Sequence, residues 1–195
     1  MAKRVFFSFH YQDVVDFRAN VVRNHWLTKP DRESAGFFDA SIWEEARKTG
    51  DIALKRLINS GITGTSNTCI LIGEKTYLRP WVRYEILKSV KKGQHIFGVH
   101  INGIKGKNGR TKTQGKNPLD YLAVSYSDSG KSITLMEWRN GKLINYDKID
   151  SSATYRLENP APISKRGKSF KLSALYSTYD WVGNDGYNKF SKWVS

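Results

Sequence analysis

The sequence predicts an α/β fold: a parallel sheet with helices on both faces, then a small antiparallel β-meander and an aromatic-rich C-terminal elaboration. Three observations carry that expectation. Apolar runs without polar alternation, at Val5–Phe9, Thr68–Ile72 and His95–Ile101, have the pattern of strands buried on both faces. Segments with apolar residues at helical spacing lie between them. The alternation of the two kinds through the first 100 residues favours right-handed crossovers and parallel strand pairing.

The opening run, Val5-Phe6-Phe7-Ser8-Phe9-His10-Tyr11-Gln12-Asp13, is a strand that turns polar at its C-terminal end. A helix is expected from Asp13 to about Trp26, where Val14, Phe17, Val21 and His25 recur at helical spacing. Thr28 to Gly36 is polar, contains Pro30, and reads as a loop; Phe37-Phe38-Asp39 reads as a short second strand ending in an acid. Ser41 to Lys48 has no decisive pattern. Thr49 to Asn59 reads as a helix stopped by Ser60-Gly61. Pro80 to Lys92 is a further helix, with proline in the first turn, where its missing N–H has no intrahelical partner to lose.

From Asn102 to Asn117 the chain carries Lys105, Lys107, Arg110, Lys112 and Lys116 among four glycines and no acid, which reads as an exposed, mobile loop. Tyr121–Tyr126, Ile133–Trp138 and Lys142–Tyr146 form the meander, with Asn140-Gly141 as a hairpin turn. Residues 150–168 read as loop and Ser173–Tyr179 as helical. Asp180 to Val194, with Trp181, Tyr187, Phe190 and Trp193, is aromatic enough to pack back on the rest. The chain is read as a single domain: a core of about 1–102, the basic loop and meander over about 103–149, and a C-terminal elaboration over about 150–195.

With 195 residues, 39% hydrophobic and 26% charged, the chain suits one soluble domain with a buried core. No apolar run approaches the roughly 20 residues that span a bilayer, and the N-terminus lacks the apolar stretch of a secretory signal. The single cysteine, Cys69, excludes an intramolecular disulfide and a thiolate zinc site. Four histidines without ligand spacing give no reason to expect a metal. A cytoplasmic protein that does not engage membranes is expected. The net charge of +14 reads either as a solvated basic surface or as attraction to a polyanion: nucleic acid, an acidic protein or a phosphorylated small molecule. No nucleic-acid-binding module stands out, so nucleic acid is not the expected partner.

In sheets of this kind the ligand sits beyond the carboxyl ends of the strands. The residues there are Ser8-Phe9-His10-Tyr11, Asp39-Ala40-Ser41, Gly73-Glu74-Lys75 and His100-Ile101-Asn102. Trp81-Val82-Arg83-Tyr84-Glu85 opens the helix beyond one of these ends, and Trp81 and Glu85 are four apart on one helical face. A carboxylate beside a large aromatic at such a mouth suits chemistry; the same pattern also describes a surface acid on an amphipathic helix.

Ser8-Phe9, Asp13 and Trp81…Tyr84-Glu85, in this order and spacing over the first 100 residues, resemble a TIR domain. Phe6–Asp13 and the tail Tyr179-Asp180-Trp181-Val182…Asp185-Gly186-Tyr187-Asn188-Lys189-Phe190-Ser191 are similar to the narrower group of TIR-like proteins in the bacterial Thoeris anti-phage defence system. The resemblance implies a flavodoxin-like TIR-type sheet and an enzyme of the NAD⁺ nucleosidase or ADP-ribosyl cyclase type, with NAD⁺ as substrate and no other cofactor. It also implies a cyclic ADP-ribose variant as product, which activates a separate NAD⁺-depleting effector. A phage-derived protein trigger and a homo-oligomer are further expected partners. One departure is visible. Phe38-Asp39-Ala40-Ser41-Ile42-Trp43 stands where many TIR domains carry an Arg-Asp-x-x-Pro-Gly-type loop, which often mediates assembly and covers the site.

By resemblance and position, Glu85 is the catalytic carboxylate, placed to face an oxocarbenium-like transition state. Phe9, Tyr11, Trp43 and Tyr84 either stack on adenine or nicotinamide or serve as core and rim aromatics. Asp39 either binds ribose hydroxyls or closes a strand-end turn. Ser8 bonds its own loop or a ribose oxygen. His10, paired with His100, suits acid–base work or phosphate binding. Arg83 either meets the pyrophosphate or is solvated. The alternative from another class is a non-catalytic TIR or receiver-like adaptor, since many TIR domains only assemble with one another and fold does not fix function.

Overall fold

The fold is seen in a computed structural model, which describes residues 3–36 and 40–194. The first half of the chain runs β1 (Lys3–Ser8), α1 (Tyr11–Val15), α2 (Arg18–Leu27), β2 (Arg32–Ala35), α3 (Ala40–Thr49), α4 (Asp51–Ile62), β3 (Asn67–Ile72), α5 (Pro80–Lys91) and β4 (His95–His100). The second half adds β5 (Leu122–Tyr126), β6 (Ser132–Arg139), β7 (Lys142–Asn145), β8 (Thr154–Arg156), β9 (Ser169–Lys171), β10 (Thr178–Asp180) and α6 (Gly186–Trp193).

Five strands pair in parallel in the order β10-β4-β3-β1-β2. Successive side chains of β1 alternate between the sheet's faces. Phe6 packs on one face with Ile58 and Ile62 of α4 and Ile86 and Leu87 of α5. Val5 and Phe7 pack on the other with Val22 and Trp26 of α2 and Phe190 of α6. Every residue of β3 is buried, which explains its unbroken apolar pattern. The meander is a second, antiparallel sheet, β7-β6-β5-β9, with β8 also paired to β6. Its Leu122, Val124, Ile133 and Leu135 join the first core, so the two sheets share one apolar layer. Among the described residues no helix is long and apolar enough to cross a membrane.

Four sequence expectations change. The helix expected from Asp13 to Trp26 is two helices, broken at Phe17, whose φ of 64° is left-handed. The polar stretch Thr28–Gly36 is not all loop: it contains β2, an edge strand in which Ala35 alone is buried, so it needs no apolar run. The expected strand Phe37–Asp39 lies outside the described residues. Ser173–Tyr179 is not helical beyond a single turn at Leu172–Ala174; it leads into β10, which completes the parallel sheet beside β4.

The fourth change concerns residues 102–117. They are anchored, not loose. The Arg18 guanidinium, 2% exposed, donates to the carbonyls of Ile104 (3.0 Å) and Arg110 (2.7 Å) and to Asp16 (3.1 Å). Lys112 pairs with Asp16, and the Lys107 amide donates to the Asp16 carbonyl at 3.1 Å. A cation from the start of α2 thus satisfies two carbonyls of a segment whose buried apolar anchor is Ile104.

Candidate active site

The strand order reverses direction between β1 and β3, and this is where a crevice opens at the carboxyl end of such a sheet. A cavity of about 370 Å³ lies there. Phe7, Phe9, His10 and Tyr11 line it from β1 and the turn that follows, and Trp81 and Glu85 line it from α5. Gly36, at the end of β2, also lines it. Its φ is 88°, and a Cβ there would stand 2.2 Å from the Phe7 carbonyl oxygen, so only glycine fits.

Ser8 ends β1 with its side chain fully buried, and its hydroxyl donates to Glu85 Oε2 at 2.5 Å across 77 residues of sequence. The serine therefore serves the carboxyl group and not its own loop. Glu85 is 7% exposed, and burial pushes its carboxyl up to about 8; the Ser8 hydrogen bond opposes that rise without cancelling it. At neutral pH the resting carboxyl holds its proton. A ligand cation placed against it would favour the carboxylate.

His10 is pushed down to about 4, first by burial and then by the positive charges of Arg79, Lys112 and Lys75, against the smaller pull of Asp16. It is a neutral imidazole at neutral pH. His100 does not line the cavity; it stands opposite Asp180 in the β4–β10 register. Asp13 is buried beside Thr76 (3.5 Å), with its carboxyl pushed up to about 6 by burial. It supports the turn after β3, where a Cβ on Gly73 would stand 2.2 Å from its carboxylate.

The structure brings Phe9, His10, Tyr11 and Glu85 to one cavity, with Ser8 buried behind it on the Glu85 carboxyl. Tyr84 does not line the cavity; it takes the core packing that the sequence left open beside stacking. One residue before Glu85 it is rotated by about 100° around the helix, and its hydroxyl donates to Asn59 of α4 at 3.2 Å, with Lys55 over its ring. Arg83 is neither solvated nor at the cavity: it pairs with Glu137 of β6 at 3.1 Å. Trp43 belongs to α3 by its backbone, but its side chain, like Asp39, lies outside the described residues. Sequence reasoning missed Arg47 and Arg79, which line the cavity; Trp81, which it set beside Glu85 at the mouth without giving it a binding role, lines it too. Arg79 had a signal, since it immediately precedes the proline that starts α5. Among the described residues no group of three or more His, Cys, Asp or Glu side chains could hold a metal ion.

The family model described as "Thoeris protein ThsB, TIR-like domain" matches residues 6–105. This chain belongs to that family. The matched span runs from β1 to just beyond β4, and so contains both Ser8 and Glu85. A protein of Bacillus cereus (strain MSX-D12), named "Putative cyclic ADP-D-ribose synthase ThsB1", is 60% identical over 195 residues, covering 100% of both chains. That likeness extends past the TIR-like region through the meander, β10 and α6.

Proposed function

We propose that the cavity receives NAD⁺ and that Glu85 supports cleavage of the bond between nicotinamide and ribose. The observation that carries this reading is the buried Glu85 carboxyl at the cavity wall, with a serine hydroxyl and not a cation as its hydrogen-bond partner. The name of the Bacillus cereus relative supports the same chemistry and adds ring closure.

Nicotinamide leaves with the bonding electron pair and is neutral once it has gone, so no acid is needed. Positive charge develops at the ribosyl carbon. The Glu85 carboxylate, ionised against the bound pyridinium, stabilises that charge in a site screened from water. The cation is then captured by a nucleophile of the same molecule, an adenine nitrogen or a ribose hydroxyl. The new bond to the ribosyl carbon closes the ring, and the nucleophile's proton passes through Glu85 or directly to solvent. Phe9, Tyr11 and Trp81, all on the cavity wall, hold the adenosine half close and exclude water. Such proximity is worth roughly 7–11 kcal/mol in favourable cases. NAD⁺ is the substrate and no further cofactor takes part. The released ring acts on a separate effector, and a phage-derived protein triggers the reaction.

The test is incubation of the purified protein with NAD⁺, with and without lysate from infected cells, and mass spectrometry of the products. The expected products are nicotinamide and a species lighter than ADP-ribose by one water. Linear ADP-ribose alone would overturn ring closure. No release of nicotinamide under either condition would overturn the reading as a whole.

A further inference from the structure

The wall of the cavity at the start of α5 has a chemistry that Glu85 does not explain. Arg79, the residue before the helix, lines it, and its Nε is enclosed without a hydrogen-bond partner. A buried N–H left unpaired is costly, and a ligand acceptor would relieve it. Arg47 reaches the same cavity from α3. The first turn of α5 adds to this. No side chain caps it, and Trp81 and Val82, which both line the cavity, carry amides that the helix itself leaves free. Among the described lining residues Glu85 is the only acid. Among its described lining residues the cavity therefore has two guanidinium groups and a helix start, and a single carboxyl further along α5.

We propose that Arg79, with Arg47 and the first turn of α5, forms a diphosphate subsite that fixes which way round a dinucleotide lies. The diphosphate sits at Arg79 and the ribosyl carbon next to Glu85. The spacing fits. Six residues of helix separate the two positions, an axial rise of about 9 Å, comparable to the span from the anomeric carbon of a ribose to the far phosphate on its O5. Arginine suits the role because its planar fork donates two parallel hydrogen bonds to phosphate oxygens. Which dinucleotide binds rests on the function proposed above; the anion subsite itself does not.

Calorimetric titration of the resting protein with ADP and with adenosine tests the proposal. Adenosine should bind at least about tenfold more weakly than ADP, because hydrogen bonds to charged groups carry most of the difference. Arg79→Gln should remove most of ADP's advantage. Arg47→Gln, at an exposed position on α3, should remove part of it, and gives a second reading if the first variant folds poorly. Arg79→Lys should be intermediate, keeping charge without the fork. Lys142→Gln, on the exposed β6–β7 hairpin, should change nothing, which separates a local subsite from the general field of a +14 protein. The proposal is overturned if ADP does not bind, if folded Arg79→Gln and Arg47→Gln proteins keep the full advantage, or if Lys142→Gln loses as much. ADP has no nicotinamide bond, so this outcome is independent of turnover. A protein that binds ADP through Arg79 but releases no nicotinamide keeps the subsite and loses the NAD⁺ reading, and the reverse result does the opposite.

Discussion

Glu85 and Glu137 are buried to nearly the same degree, 7% and 3% exposed, and helix α5 serves both. Glu137 of β6 receives Arg83 of α5 at 3.1 Å and Arg139 at 2.5 Å. Its charge is matched by two guanidinium groups, and the contact ties the meander to the parallel sheet's helical layer. Among the described residues Glu85 receives only the Ser8 hydroxyl, and it faces a cavity. Arg83 and Glu85 are two residues apart, about 200° around the helix, so one element presents a structural contact on one side and an uncompensated carboxyl on the other. A buried acid with cationic partners holds parts together; one without them costs stability and keeps its capacity for a ligand's charge.

Glu85→Gln should give the largest effect, a loss of nicotinamide release of at least about two orders of magnitude with the fold retained. Wild-type turnover in this variant would erase the contrast between the two glutamates. The same variant sharpens it through stability. The folded Glu85 carboxyl is held near 8, against an ordinary value of 4.5. Between these values the unfolded chain has lost the proton that the folded one keeps, so the wild type loses stability as pH rises through that window. The stability difference in favour of Glu85→Gln should therefore grow from pH 5 to pH 8 in urea titrations and then level off. A constant difference would mean that Glu85 is not held protonated.

Arg18 is a buried cation of the Glu137 kind, matched by Asp16 and two carbonyls. Arg18→Met should cost about 2–4 kcal/mol of stability, because several acceptors lose their partner at once. It should also raise protease sensitivity within residues 102–117. Should the protein keep its stability, those residues are the loose loop that their composition suggests. Arg83→Met should cost less, about 1–3 kcal/mol, since Arg139 still pairs with Glu137. It should leave kcat for nicotinamide release within about threefold; a larger fall would place Arg83 in the site after all.

Ser8→Ala gives the smallest and most specific effect. The Ser8 hydrogen bond favours the ionised form of Glu85, so its loss should move the rising limb of kcat/KM against pH to higher pH. An unmoved limb would mean that the 2.5 Å contact does not tune the carboxyl.

Much of this arrangement was legible in the chain. The buried strands β1, β3 and β4 show as unbroken apolar runs because both their faces are covered. α5 shows through Pro80 and its periodicity, and the Asn140-Gly141 turn locates the β6–β7 hairpin. β2 did not show, because an edge strand with one buried residue has no apolar signature. β10 did not show either, since three residues gain their strand identity only by pairing with β4. Tyr84 and Arg83 stand in the most informative motif of the chain, yet their positions around α5, about 100° and 200° from Glu85, turn both away from the cavity.

Local pattern thus indicated the parallel α/β class, because periodicity constrains it within short stretches, while family resemblance and a position beyond a strand end pointed to Glu85, which the structure places on the cavity wall. Tertiary packing alone decided that Ser8 spends its hydroxyl on Glu85, that Arg18 ties down the basic segment, and that Arg47 and Arg79 share the cavity with the carboxyl. Each of these joins elements far apart in sequence. The strength of a hydrogen bond or the cost of a buried charge depends on neighbours and solvent access, and no local pattern records those.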